Sequence, residues 1–234
     1  MRWPTLAKRR QVLLPTPLGW LALALLVCGV LAWAWPRTYR FLSPQQPAHA
    51  KILVVEGWLE RDALEQALGA VRDGGYERVL TAGGPITSWA DRIGFTNYAD
   101  LAADYLVKRG LEPQRVTAVP APASAQERTF LSAVEVRDRL RSEGARVDAI
   151  DVFSWGCHAR RTWLMYRMAF GPEVKVGIRA AVPTQYGADD WWRSSAGAKS
   201  VLQEYVALVW NELFFWPGEP GSPDERWAVG PRSH

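Results

Sequence analysis

Between Lys51 and Val182, short apolar runs alternate with stretches whose apolar residues fall at helical spacing. The runs are Ile52 to Val55, Arg78 to Thr81, Arg115 to Val119, Ala149 to Phe153 and Val174 to Val182. Parallel strands need a crossover long enough to hold a helix, so this order predicts an α/β domain with a mainly parallel sheet of about five strands, covered on both faces. The intervening helices are marked by Ala63, Leu64, Ala67, Leu68 and Val71, then by Tyr98, Leu101, Ala102, Tyr105 and Leu106. Gly74-Gly75 and Gly110 supply their stops. A third helix carries Phe130, Leu131, Val134 and Leu140 to about Glu143, and a fourth runs from Trp163 to Phe170. Val201, Leu202, Tyr205, Val206, Val209 and Leu213 mark a final amphipathic helix.

Before this domain, Leu18 to Trp35 holds no charged residue and is bracketed by Pro17 and Pro36. As a helix it spans about 27 Å, close to the ~30 Å hydrocarbon layer of a bilayer. Trp20, Trp33 and Trp35 lie near its ends, as interface aromatics do. The first 50 residues hold six basic side chains (Arg2, Lys8, Arg9, Arg10, Arg37, Arg40) and no acid, leaving 22 basic against 24 acidic residues beyond them. The formal charge of +4 is therefore +6 in the N-terminal stretch and −2 in the rest. That distribution gives a membrane protein its orientation and excludes nucleic acid as a partner, which needs a basic folded surface. The expected plan is a cytoplasmic basic tail over 1–17, a transmembrane anchor over 18–36, a linker over 37–50, the α/β domain over 51–216 and a loose tail over 217–234. The main domain then lies on the outer side of the membrane. A cleaved signal peptide is the alternative, with Ala32-Trp-Ala34 as its cleavage site, but the run exceeds the usual signal-peptide core.

The chemistry-bearing residues collect after the predicted strands. Phe153-Ser-Trp-Gly-Cys-His158-Ala-Arg160-Arg161 ends a strand in a small-residue turn and carries one histidine and two arginines into a helix start. Amides at such a start favour an anion, and arginine adds a bidentate fork for phosphate or carboxylate. His49 and His234 lie in the linker and at the C-terminus, so His158 is the only imidazole of the domain. Right-handed crossovers place Glu56-Gly57-Trp58, Gly83-Gly84, Arg128-Thr129 and Ser154 on the same sheet edge. His158 and Glu56 are the candidate proton carriers. Gly57, Trp58, Gly83, Gly84, Arg128, Thr129, Ser154, Arg160 and Arg161 are the candidate binding residues, with Trp58, Trp89 and the Trp191-Trp192 pair as stacking faces. Each piece has a plainer use: a histidine as helix cap, paired arginines as a solvated face, Gly-Gly as a turn, Glu56 as an ion-pair partner. Cys157 reads as buried filler and Cys28 as membrane-embedded. No metal or cofactor is expected, because no ligand spacing and no G-x-G-x-x-G after the first strand occur.

Four short motifs, Val54-Val-Glu-Gly57, Thr81-Ala-Gly-Gly84, Glu127-Arg-Thr129 and Ser154-Trp-Gly-Cys-His158-Ala-Arg-Arg161, stand in the order found in the ElyC/SanA/YdcF family of bacterial envelope proteins, and residues 51 to 213 resemble it. Glu56 takes the place of an apolar residue usual there, and Ser132 stands near a common asparagine. The resemblance implies a three-layer Rossmann-like domain with a polar pocket at the sheet edge. It also implies a role in peptidoglycan or envelope precursor metabolism. The functional expectation is binding, hydrolysis or transfer of a phosphorylated or lipid-linked envelope intermediate. The alternatives are a non-enzymatic envelope biogenesis factor and a nucleotide- or adenosyl-binding module.

Overall fold

The computed structural model of the chain describes residues 14–86, 94–124, 127–144, 146–222 and 225. It divides into two compact units, Met1–Arg37 and Thr38–His234. The first unit is built on helix α1 (Pro17–Ala34), which Thr16 caps by accepting a hydrogen bond from the Gly19 amide at 3.2 Å. Proline at the first helical position costs nothing, because its missing N–H has no helical partner there. None of the helix is buried, and with a mean hydropathy of 2.1 over an 18-residue window it is long and apolar enough to cross a membrane. A signal sequence meets the same test of length and composition.

The second unit holds a five-stranded, all-parallel sheet of order β3-β2-β1-β4-β5. The strands are β1 (Ile52–Glu56), β2 (Arg78–Gly83), β3 (Val116–Pro120), β4 (Ala149–Trp155) and β5 (Lys175–Ala181). Helices α3 (Arg61–Gly74), α4 (Tyr98–Lys108), α5 (Arg128–Ser142), α6 (Ala159–Phe170) and α7 (Ser195–Phe214) follow the strands in turn. Side chains alternate across a strand, and β1 shows the consequence. Val54 joins a core with Leu80, Val152, Phe130 of α5 and Met165 of α6, whereas Leu53 and Val55 join a second core with Leu64 of α3 and Leu106 of α4. Each face of the sheet thus carries its own core, and burying one such Leu or Val contributes about 1.5–3 kcal/mol.

Three expectations need correction. Residues 38–50 are no free linker. They form α2 (Thr38–Leu42), with Tyr39 and Leu42 buried, and then dock on the open edge of β5. Gln46 makes an antiparallel bridge to Ile178, while the Gln45 amide brackets Ala180 by donating to its carbonyl at 2.6 Å and accepting from its N–H at 3.2 Å. An edge strand leaves backbone donors and acceptors unpaired, and this segment satisfies them.

The tail from 217 is not loose throughout. Arg137, buried on α5, makes a bidentate pair with Glu225 at 2.5 and 2.8 Å, and Pro220 lies against Gly171. Residues 226–234 lie outside the described residues. The amphipathic reading of α7 is also reversed. Gly197, Val201, Leu208 and Asn211 face inward, and most of the apolar residues that marked the helix face outward.

Candidate functional site

β1 and β4 are neighbours at the centre of the sheet, and the strand order reverses between them. In open α/β sheets the crevice outside the carboxyl ends at such a reversal is where ligands bind. Glu56 is the last residue of β1 and Ser154 the penultimate residue of β4. β4 leads into a 3-10 turn, Gly156–His158, whose first residue has φ +22, a value glycine tolerates best. α6 starts directly after His158 and carries Arg161 and Thr162 in its first turn.

These elements bring one connected polar cluster together. The Ser154 hydroxyl donates to Glu56 Oε2, and Thr162 Oγ1 lies 3.3 Å from both Glu56 oxygens and 2.9 Å from Ser154 Oγ. Glu56, Ser154, Thr162 and His158 are all buried. His158 Nδ1 lies 3.0 Å from Glu204 Oε2 on α7, a contact that becomes an ion pair when the ring is protonated. Its Nε2 lies 3.7 Å from Glu56 Oε1, too far for a hydrogen bond, and is buried without a partner. Arg161 grips the same Glu204, at 2.8 Å from Nε and 3.2 Å from Nη2. Its Nη2 also stands 2.9 Å from His158 Nδ1 and donates to that nitrogen when it carries no proton, so Nδ1 is shared between Glu204 and Arg161. Trp58 packs edge-on against the imidazole, with ring centroids 5.2 Å apart, and is itself partly exposed.

The electrostatics follow from that packing. Burial opposes a charge on His158, yet the neighbouring Glu56 carboxylate and the hydrogen bond to Glu204 hold its pKa above the usual 6.5. Burial likewise pushes Glu204 up, but the hydrogen bond and charge of His158 and the two bonds from Arg161 outweigh it and bring the carboxyl to about 2. The two carboxylates thus favour the charged form of the imidazole more than it is favoured in a free histidine. A ring oriented through Nδ1 with a free Nε2 is equipped to give or take a proton at that atom.

The structure unites Glu56, Trp58, Ser154, His158 and Arg161 and separates the other candidates from them. Arg160 points toward α2: its Nε donates to the Phe41 carbonyl and its guanidinium lies 4.0 Å over the Phe41 ring. Gly57 and Gly83 make room for protein, not for ligand. A Cβ on Gly57 would stand 2.5 Å from the Tyr98 carbonyl oxygen, and one on Gly83 would stand 2.8 Å from Tyr98 Cβ. A Cβ on Gly84, which is half-buried, would meet nothing among the described residues nearer than 3.8 Å, and Arg128 and Thr129 sit at the start of α5, with no hydrogen bond or ion pair to the cluster among the described residues. Trp191 is fully buried in a third core with Tyr39 and Leu42, Trp192 packs edge-on against it, and Trp89 and Arg92 lie outside the described residues. Cys157 is buried, and burial raises its thiol to about 11.

Two cluster members escaped the sequence reading, Thr162 and Glu204, and so did Tyr166, which feels the Glu56 charge without bonding to the cluster. Tyr166, also buried, has a partnerless hydroxyl that burial and the Glu56 charge push well above its usual pKa. Glu204 had a visible signal, for it is an acid spaced three residues from Val201 and four from Leu208, on what proves to be the buried face of α7. Among the described residues no His, Cys, Asp and Glu group is arranged to hold a metal ion.

Replacing Gly57 with alanine tests the packing role. The added methyl meets helix backbone that cannot rotate away, so stability is expected to fall by about 1–3 kcal/mol. Thermal unfolding checks it, and an unchanged midpoint would show that α4 yields. Compared with protein-family models and with curated proteins, the chain matches none.

Proposed function

We propose that this protein is a membrane-anchored enzyme that binds and hydrolyses, or transfers, a phosphorylated, lipid-linked envelope intermediate, with His158 as its proton carrier. One observation carries the reading: a buried imidazole, held at Nδ1 by Glu204 and Arg161 and left without a hydrogen-bond partner at Nε2, at the strand-order reversal of a parallel sheet. Structural histidines satisfy both nitrogens or turn one to water; a free and enclosed Nε2 suits a proton delivered to a leaving oxygen.

In this reading the strand order and the helices on both faces make the domain a three-layer Rossmann-like unit of the ElyC/SanA/YdcF type. α1 is the retained anchor, the basic N-terminus stays in the cytoplasm and the domain faces the outside of the inner membrane. Arg161 steadies Glu204, so it is a positioning residue and not a phosphate clamp. Arg128 is exposed and makes no ion pair among the described residues, which leaves it, with Thr129 and Gly84, to receive phosphate. Trp58 offers its exposed face to a sugar or prenyl group beside the imidazole.

Ligand-induced stabilisation tests the substrate class, since a ligand selective for the folded state raises the unfolding midpoint. A short-chain polyprenyl phosphate is expected to raise it, inorganic phosphate to do so weakly, and a nucleotide sugar not at all. Stabilisation by the nucleotide sugar alone would overturn the lipid-linked substrate. No response of wild type to any of the three would overturn phosphate binding, and an undiminished response of Arg128→Ala would overturn the role of Arg128 in it.

A further inference from the structure

We infer that the outer face of α7 is a second membrane contact, a helix face that rests in the lipid interface and sets the domain down beside its anchor. Leu202, Tyr205, Val206, Val209, Trp210 and Leu213 all rank as exposed, Val206 at 67% and Leu213 at 60%. Their spacing of three and four residues makes one continuous stripe along the helix, with the exposed Glu212 at one margin and no acidic residue within it. A stripe of this kind left in water is unfavourable at every side chain, which is why large exposed apolar patches on folded proteins mark contacts.

The occupant follows from composition and from chain length. Aliphatic residues mixed with a tryptophan and a tyrosine, and an exposed lysine, Lys199, at the N-terminal end, are what a helix lying at the headgroup level carries. Phe214 and Trp216 extend the apolar surface past the end of the stripe. Only three residues separate the end of α1 at Ala34 from the start of α2 at Thr38, at most about 14 Å of extended chain. α2 packs against α7. Whatever angle the two units make, the element bearing the stripe is tied within a short reach of the point where an apolar span leaves the bilayer. Glu204 is on the opposite, inward side of the same helix, so lipid contact would hold the His158 cluster about one helix diameter, ~10 Å, from the headgroups. A lipid-linked substrate need then rise only that far.

The inference rests on the anchor half of the proposed function and not on its chemistry. Its test uses the full chain in vesicles of phosphatidylethanolamine and phosphatidylglycerol, with Cys28 replaced by alanine and Cys157 left buried. An environment-sensitive fluorophore is placed singly through Val206→Cys, Val209→Cys, Leu26→Cys and Gln114→Cys, the last an exposed position before β3. Lipids carrying a doxyl quencher are expected to quench at Leu26, and at Val206 and Val209 severalfold more than at Gln114. Quenching at Leu26 with none at Val206 and Val209 overturns the docking and leaves the anchor standing. No quenching at Leu26 overturns the anchor and the docking with it. Protection of Val206 from aqueous iodide without lipid quenching, together with a disulfide between Val206→Cys chains, assigns the face to a second copy and also overturns the inference.

Discussion

Asp151→Ala is expected to lower the unfolding midpoint by roughly 10 °C, the equivalent of about 3–5 kcal/mol in a domain of this size. The carboxylate is fully buried in β4 and collects three donors: the Ala48 amide at 2.5 Å, the Ala50 amide at 3.2 Å and the Tyr76 hydroxyl at 2.9 Å. Arg179 in turn donates to the Tyr76 oxygen at 2.8 Å. Removing the acceptor strands two backbone N–H groups and a phenol in a place water does not reach, and each stranded donor costs about 1–3 kcal/mol. Asp151→Asn keeps one acceptor but presents its NH2 group to donors, so it should lose about half as much. Gly177→Ala attacks the same locus sterically: its Cβ would lie 1.9 Å from Asp151 Oδ1 and 2.2 Å from the Ala48 nitrogen. Thermal unfolding of the three variants decides the matter. If Asp151→Ala melts within a degree or two of wild type, residues 46–50 are held to the sheet by something other than this carboxylate.

That strap shows what the sequence conceals. The three prolines and two glutamines of Pro36 to Ala50 carry no periodicity, so a tether is the natural reading. Its docking depends on partners more than a hundred residues later, Asp151, Ile178 and Ala180, which no local pattern announces. The strands were legible for the opposite reason. A parallel strand buried on both faces is a short, continuous apolar run, and β1 to β5 fall on those runs with ends shifted by a few residues at most.

The candidate site lies between these cases. Placing Glu56, Ser154 and His158 on one edge needs only the strand order, but the fate of each arginine depends on which acid stands opposite. Arg161 meets Glu204 from α7, and Arg160 turns to the carbonyl of Phe41. Both partners belong to segments whose packing face the local pattern left undecided. α7 is apolar on its exposed side as well as its buried one, so periodicity could not tell which side faces the core.

His158→Gln is expected to abolish turnover of whichever phosphorylated ligand stabilises the wild type, by about 10²–10⁴-fold, with that stabilisation retained. Glutamine preserves a hydrogen bond to Glu204 and removes the titrating proton. A pH series on the unliganded protein gives a second readout that no loss of packing imitates. The His158 pKa is raised on folding, so its contribution to stability is complete below about 6.5 and is lost as pH rises through the folded value. Glu204 is lowered to about 2, so its contribution is complete above 4.5 and is lost as pH falls toward 2. Both act together between those unfolded values. His158→Gln should therefore erase the alkaline decline and, by removing the imidazolium, move the acid limb to higher pH. Glu204→Gln should erase the acid limb and move the alkaline decline to lower pH, because only Glu56 then supports the charged ring. If His158→Gln keeps both the wild-type turnover and the wild-type pH profile, the imidazole carries neither the proton nor the charge. The cluster between β1 and β4 would then be a buried polar plug, and the exposed start of α5 would be the remaining seat for the chemistry.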